Sequence, residues 1–159
     1  MRFRLSYAGP RDIGLMVEHR LNMWRDIHPE LGEEIEESRR VTRHWVRRNM
    51  ANGRLIGLIA RAPDGRVAGS GCIWMREEQP RPDNPGLERP YLMSMYTEEE
   101  FRRKGVAKLI ARGAIKWCRD NGHGGIALHA SKVGRPLYES LGFEPSSEMR
   151  LKLHPKRAR

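Results

Sequence analysis

The chain has 159 residues, 38% of them apolar and 31% charged, a balance that suits one soluble globular domain around a single core and is short for two. No apolar run approaches membrane-spanning length, and Met1-Arg2-Phe3-Arg4-Leu5 lacks the apolar core of a secretory signal, so a cytoplasmic protein with no membrane partner is expected. The formal net charge of +10 is compatible with a nucleic-acid or other polyanion partner, but Arg150, Lys152, Lys156, Arg157 and Arg159 crowd the last ten residues without an acid. A solvated basic tail over 154–159, after one domain over 1–153, therefore takes precedence over a nucleic-acid surface.

Arg2 to Ser6 alternates, placing Phe3 and Leu5 on one face of a first strand. Gly9-Pro10 leads into a helix whose inner face carries Ile13, Val17, Leu21 and Trp24, and which ends near Ile27 before Pro29. Residues 30–37 are rich in Glu and residues 39–48 in Arg. That polarity suits the dipole of one exposed second helix ending near Gly53, with Trp45, Val46 and Met50 turned inward. The acidic run as a lip facing a substrate is the alternative.

Leu55–Ala60 and Val67–Met75 flank Asp64-Gly65 and predict an antiparallel hairpin. Gly69 and Gly71 inside its second strand predict a bulge or close packing. Residues 76–90 hold four prolines and predict a long loop before the strand Tyr91–Thr97. Cys72 and Cys118 each lie in an apolar segment and predict buried thiols, and no His or Cys spacing suggests a metal site.

After Thr97 come three consecutive cations, Arg102, Arg103 and Lys104, then Gly105, Val106 and Ala107, where a helix reaching Asn121 begins. Its inner stripe is Val106, Leu109, Ile110, Ala114 and Trp117, with Lys108, Arg112, Lys116 and Arg119 outside. A strand feeding a glycine-bearing turn and a helix N-terminus is an anion site, because the first N–H groups of a helix lack acceptors and share its positive dipole end. Ile126–Ala130 predicts a fifth strand and Gly134-Arg135-Pro136 a short helix through Leu141, stopped by Gly142. Phe143 opens a sixth strand, and Met149, Leu151 and Leu153 share one face of a seventh. The order is β-α-α-β-β-β-α-β-α-β-β, an α/β (α+β mixed) fold with a central mixed sheet and helices on both faces.

The pattern R-x-x-G-x-A over Arg102–Ala107 resembles the pyrophosphate-binding signature of the GNAT superfamily of acyl-CoA N-acyltransferases. Leu137-Tyr138-Glu139-Ser140-Leu141-Gly142-Phe143 is similar to the family's second signature, in the matching order. The resemblance covers nearly the whole chain and implies a sheet splayed between strands 4 and 5. It implies acetyl-CoA as co-substrate, its pantetheine arm paired with backbone of Met95, Tyr96 and Thr97. The pyrophosphate would lie on the N–H groups of Arg103, Lys104, Gly105, Val106 and Ala107, with Arg102, Arg103 and Lys104 adding charge. Ser131 stands where relatives often carry an asparagine that contacts the arm.

The activity implied is N-acetyl transfer to a primary amine by direct attack on the thioester. A backbone N–H at Met95 would polarise the carbonyl, and Tyr138 is the position matching the general acid. For the base, Glu77 and Glu78 beyond the third strand are candidates by location, as are Asp26, His28 and Glu30, and a base acting through water stays open. The acceptor is open among small molecules, polyamines, peptides and protein amines, as is a homodimer. The alternative readings are a polyanion-binding module and an acyl-CoA sensor on the same fold.

Overall fold

A computed structural model describes residues 1–153. Five strands form one sheet in the order β1 (Arg4–Tyr7), β2 (Leu55–Arg61), β3 (Val67–Glu77), β4 (Glu88–Thr97) and β5 (Ala127–Leu128). The first four pair antiparallel, and β5 runs parallel to β4. α1 (Ile13–Ile27), α2 (Gly32–Glu37) and α3 (Arg39–Ala51) lie on one face and α4 (Val106–Asp120) on the other, with α5 (Arg135–Glu139) after β5.

The strand pattern explains this layering. β2 is apolar from Leu55 to Ala60 because both of its faces are covered: Leu58 and Ala60 join the α4 core, while Leu55 joins the α1–α3 core. On the α4 side, Val106, Ile110, Ala111, Ala114 and Cys118 meet Ile73, Met75 and Leu92. On the other, Met16, Val17, Leu21, Ile35 and Val46 meet Cys72, with Trp45 and Met50 at the margin. Both thiols are free and buried, and burial pushes each up to about 11. The Asp64-Gly65 hairpin forms as expected, Gly65 N–H donating to the Ala62 carbonyl at 2.9 Å.

Four expectations need correction. The single second helix is two, because Ser38 ends α2 by turning its hydroxyl back onto the Ile35 carbonyl (2.6 Å). The proline-rich loop is shorter than its composition suggests: β3 runs on to Glu77 and β4 starts at Glu88, each prolonging the other's ladder. Pro90 is tolerated opposite Met75 because Met75 N–H donates away from it, to the Arg54 carbonyl (2.8 Å), so the Pro90 nitrogen faces the other side of β4, where pairing with β5 starts only at Tyr91. The fifth strand is only Ala127–Leu128.

The sixth and seventh strands do not form: residues 143–153 carry no strand pairing, and Met149, Leu151 and Leu153 are 93%, 83% and 80% exposed. Alternation specifies a face only where an edge exists to pair with, and a two-residue β5 followed by Glu144-Pro145-Ser146-Ser147 offers little ladder. Phe143 packs edge-on against Tyr138 at 5.8 Å instead. The predicted tail, 154–159, lies outside the described residues. No helix among the described residues is long and apolar enough to cross a membrane.

Candidate functional site

β4 and β5 pair only at Tyr91–Ala127 and Leu92–Leu128, then part. From Met93 to Thr97 the β5 side of β4 is therefore open. At the same level the β3 side is interrupted: Cys72 faces Met93 and Ser70 faces Tyr96, leaving Ser94 and Met95 to share Gly71. This is a β-bulge, and Ser94 adopts φ +55°, a left-handed conformation that costs a side-chain-bearing residue about 1–3 kcal/mol.

The two glycines of β3 make room for it. A Cβ at Gly71 would overlap Met95 Sδ, and one at Gly69 would stand 2.5 Å from the Tyr96 carbonyl oxygen. The Gly-x-Gly spacing is thus a close-approach device that seats the bulge, as its position inside a strand suggested.

Beyond Thr97, a 3-10 turn over Glu99–Phe101 plants Phe101 in the core at 2% exposure, edge-on to Phe3 at 5.8 Å. From this anchor the chain reaches α4 through two left-handed residues, Arg103 (φ +62°) and Gly105 (φ +87°). Leu109 N–H closes on the Gly105 carbonyl at 3.0 Å, so Val106, Ala107 and Lys108 precede the helix's own acceptors. Their N–H groups and the dipole of a 15-residue helix give this turn the geometry to receive an anion.

The three cations divide their labour. Arg102 donates to Asp26 Oδ2 (2.6 Å) and to the Thr97 carbonyl (3.1 Å), and lies over the Tyr96 ring, so it ties the turn to α1 and β4. Arg103 and Lys104 are exposed and, among the described residues, carry no ion pair. Two of the three neighbouring glutamates are engaged elsewhere, Glu98 by His19 (3.0 Å) and Glu100 by Arg66 (2.6 Å), and Glu99 faces water.

Tyr138 is 9% exposed, on α5, and burial raises its phenol above the ordinary value. It lines a cleft of about 620 Å³ between the end of α4, β5 and α5, together with Cys118, Leu128 and Phe143. This cleft takes no lining from the β4 edge or the anion turn. Ser131 Oγ accepts the Gly134 N–H at 3.1 Å, which starts α5.

The base candidates scatter. Glu77 is opposite Glu88, six residues before Ser94 along β4, or roughly 20 Å from the bulge at a strand's rise. It approaches Arg54 at 3.7 Å, while Glu78 is held by Arg76 and Arg89. Asp26 is taken by Arg102, and His28 and Glu30 bond each other at 2.9 Å. The structure thus brings the backbone and turn residues together and leaves Glu77 and Glu78 at the far end of the sheet. Among the described residues, no group of three or more His, Cys, Asp or Glu is placed to hold a metal.

Sequence reasoning missed the polar residues of α1 that reach this region. His19 is 1% exposed, bonded at Nδ1 to Ser70 Oγ (2.8 Å) and at Nε2 to Glu98 Oε1 (3.0 Å), with its ring against Tyr96. Burial holds it below the ordinary imidazole value, opposed by Glu98. Arg20 donates to Ser94 Oγ at 2.8 Å and lies over the Trp24 ring. One signal was available: Arg20 is spaced four residues from both Met16 and Trp24, on the inner face of α1.

A parted pair of parallel strands followed by a left-handed turn opening the next helix is the arrangement expected of an acetyltransferase fold. Residues 19–143 match the model of the Acetyltransferase (GNAT) family, and the chain belongs to that family. Its fold is similar to that of a GCN5-related N-acetyltransferase from Ralstonia eutropha, with a TM-score of 0.87 at 22% identity, covering 96% of this chain and 99% of that one. A predicted acetyltransferase from Clostridium acetobutylicum, crystallised with acetyl-CoA, aligns with a TM-score of 0.82 at 26% identity and covers 96% of each chain. Human N-acetyltransferase 8 is 26% identical over an alignment of 91 residues that covers 48% of this chain and 40% of that protein. The match to that curated relative therefore spans less than half its length.

Proposed function

We propose that this protein moves an acetyl group from acetyl-CoA to a primary amine by direct attack on the thioester. The observation that carries this reading is the open edge of β4 from Met93 to Thr97, running into the left-handed turn at the start of α4. An extended amide-bearing chain adds to an unpaired strand edge through backbone bonds alone, which Met95, Tyr96 and Thr97 supply. A diphosphate at its far end meets the N–H groups from Arg103 to Ala107, with Arg103 and Lys104 beside it. Ser131, across the parted strands, keeps its hydroxyl hydrogen free to donate toward the arm. The group fits these residues, and acetyl-CoA supplies the activated acyl carbon.

The chain's own part is positioning and charge. The bulge turns a backbone N–H at Met95 toward the gap, where it steadies negative charge growing on the carbonyl oxygen. Tyr138 keeps its proton through neutral pH, as an ordinary phenol does and as its burial reinforces, the state a general acid for the departing thiolate requires. The amine's proton leaves through water, since Glu77 and Glu78 are ion-paired and roughly 20 Å along the sheet.

Calorimetric titration with acetyl-CoA, followed by a screen of amines for release of free CoA thiol, tests this reading. Saturable binding and amine-dependent release are expected. Absence of binding at high micromolar ligand overturns it, and binding without release for any amine favours the acyl-CoA sensor.

A further inference from the structure

Most arginines of this chain follow one of two rules. Arg25, Arg39, Arg54, Arg61, Arg66, Arg76, Arg81, Arg89, Arg102, Arg135 and Arg150 each stand within ion-pair distance of a carboxylate. The other described arginines, Arg20 apart, are exposed to water. Arg20 obeys neither rule. Its side chain is half-buried beneath Trp24, its one side-chain hydrogen bond among the described residues is to the neutral Ser94 hydroxyl, and no described carboxylate pairs with it. The ionisable group facing it is the Cys72 thiol, which burial keeps protonated. A guanidinium partly withdrawn from water without a counter-charge loses hydration that no protein group replaces, and burial lowers its affinity for the proton.

Location gives this imbalance a purpose. Ser94, the strained residue of the bulge, precedes Met95, whose N–H faces the gap between β4 and β5 in the reading above. One guanidinium donor is spent on Ser94, and four of its five remain. Ser94 and Met95 are consecutive, so an anion on Arg20 lies beside the stretch of β4 where the attacking nitrogen must stand.

We propose that Arg20 is the acceptor's anchor, and that the acceptor is an amine carrying a carboxylate on the same or the next carbon, as in an amino acid. Ser94 fixes the fork, Trp24 covers its face, and the incoming carboxylate takes the counter-ion position that no protein group fills. The inference rests on the acetyltransferase reading and adds its substrate class.

The test uses the full chain with acetyl-CoA and matched pairs of amines differing only in the carboxylate: phenylalanine and phenethylamine, tryptophan and tryptamine, alanine and ethylamine. The wild type is expected to acetylate the carboxylated member of at least one pair about 10- to 100-fold more efficiently, the factor of a charge-assisted hydrogen bond. Arg20→Gln should remove that preference, lowering kcat/KM for the amino acid by the same factor relative to its decarboxylated partner. Arg20→Lys, which keeps the charge without the fork, should fall between. Thermal melting of both variants alongside the wild type separates loss of recognition from loss of fold. Equal use of both members of every pair, or an equal fall for both in Arg20→Gln, overturns the anchor while leaving the acetyltransferase reading intact. Acetyl-CoA binding with no turnover of any amine overturns both.

Discussion

Replacing Gly69 by alanine probes the link between strand packing and the donor site. The added Cβ would lie 2.5 Å from the Tyr96 carbonyl oxygen, 3.0 Å from Val106 Cγ1 and 3.2 Å from Thr97 Cα. Two of these three neighbours are backbone, so no side chain can swing away. Relief requires β4 to move off β3 by several tenths of an ångström at Tyr96 and Thr97, two of the residues proposed to pair with the pantetheine arm. Overpacking of this kind costs about 1–3 kcal/mol, and a domain of this size loses about 2–4 °C in Tm per kcal/mol. Differential scanning calorimetry and acetyl-CoA titration on the same samples should show both a lower Tm and a weaker Kd. Gly124→Ala serves as the control, because its Cβ meets nothing within 4 Å. A Gly69→Ala protein that melts and binds like the wild type would refute the argument that a bare β3 backbone sets the open edge.

Gly105→Ala acts through backbone strain alone: φ is +87° and its Cβ meets no protein atom within 4 Å. It should cost about 1–2 kcal/mol of stability and weaken acetyl-CoA binding more than Gly124→Ala does, as read by titration. Tyr138→Phe should lower turnover by about 10²-fold with little change in acetyl-CoA affinity; unchanged turnover would end the general-acid role. His19 supplies a pH prediction. Its folded pKa is depressed by burial, so below about pH 6.5 the unfolded chain binds protons that the folded chain does not. Stability should fall as pH drops through that value toward the folded pKa, by at most about 1.4 kcal/mol per unit. His19→Gln should flatten this part of a Tm–pH profile, and superimposable profiles would count against a neutral buried His19.

How much of the site was legible depended on whether its chemistry is local. The turn from Arg102 to Ala107 could be read directly, because a positive-φ glycine at a helix N-terminus is a property of consecutive residues. Gly69 and Gly71 were legible as a packing device, although not as the partners of a bulge two dozen residues away. Glu77 and Glu78 misled, since nearness to a strand end in sequence says nothing about which end of the sheet that is. Arg102 reads as one of three equivalent cations, yet only the folded chain brings Asp26 and the Thr97 carbonyl to it.

By itself, then, the sequence determined the order of the first five strands, the helices α1 and α4, the buried faces, the glycine turn before α4 and the family. All of these follow from periodicity and short motifs, in which the interacting groups are neighbours along the chain. Tertiary structure alone decided that β4 and β5 part after Leu92, that Met149, Leu151 and Leu153 find no edge, and that Ser94 is strained opposite Gly71. It also placed a lone guanidinium from α1 at that strained residue. Those outcomes rest on which surfaces meet across long sequence separations, and an unpaired charge cannot be recognised as unpaired until every neighbour that might have paired it is in place.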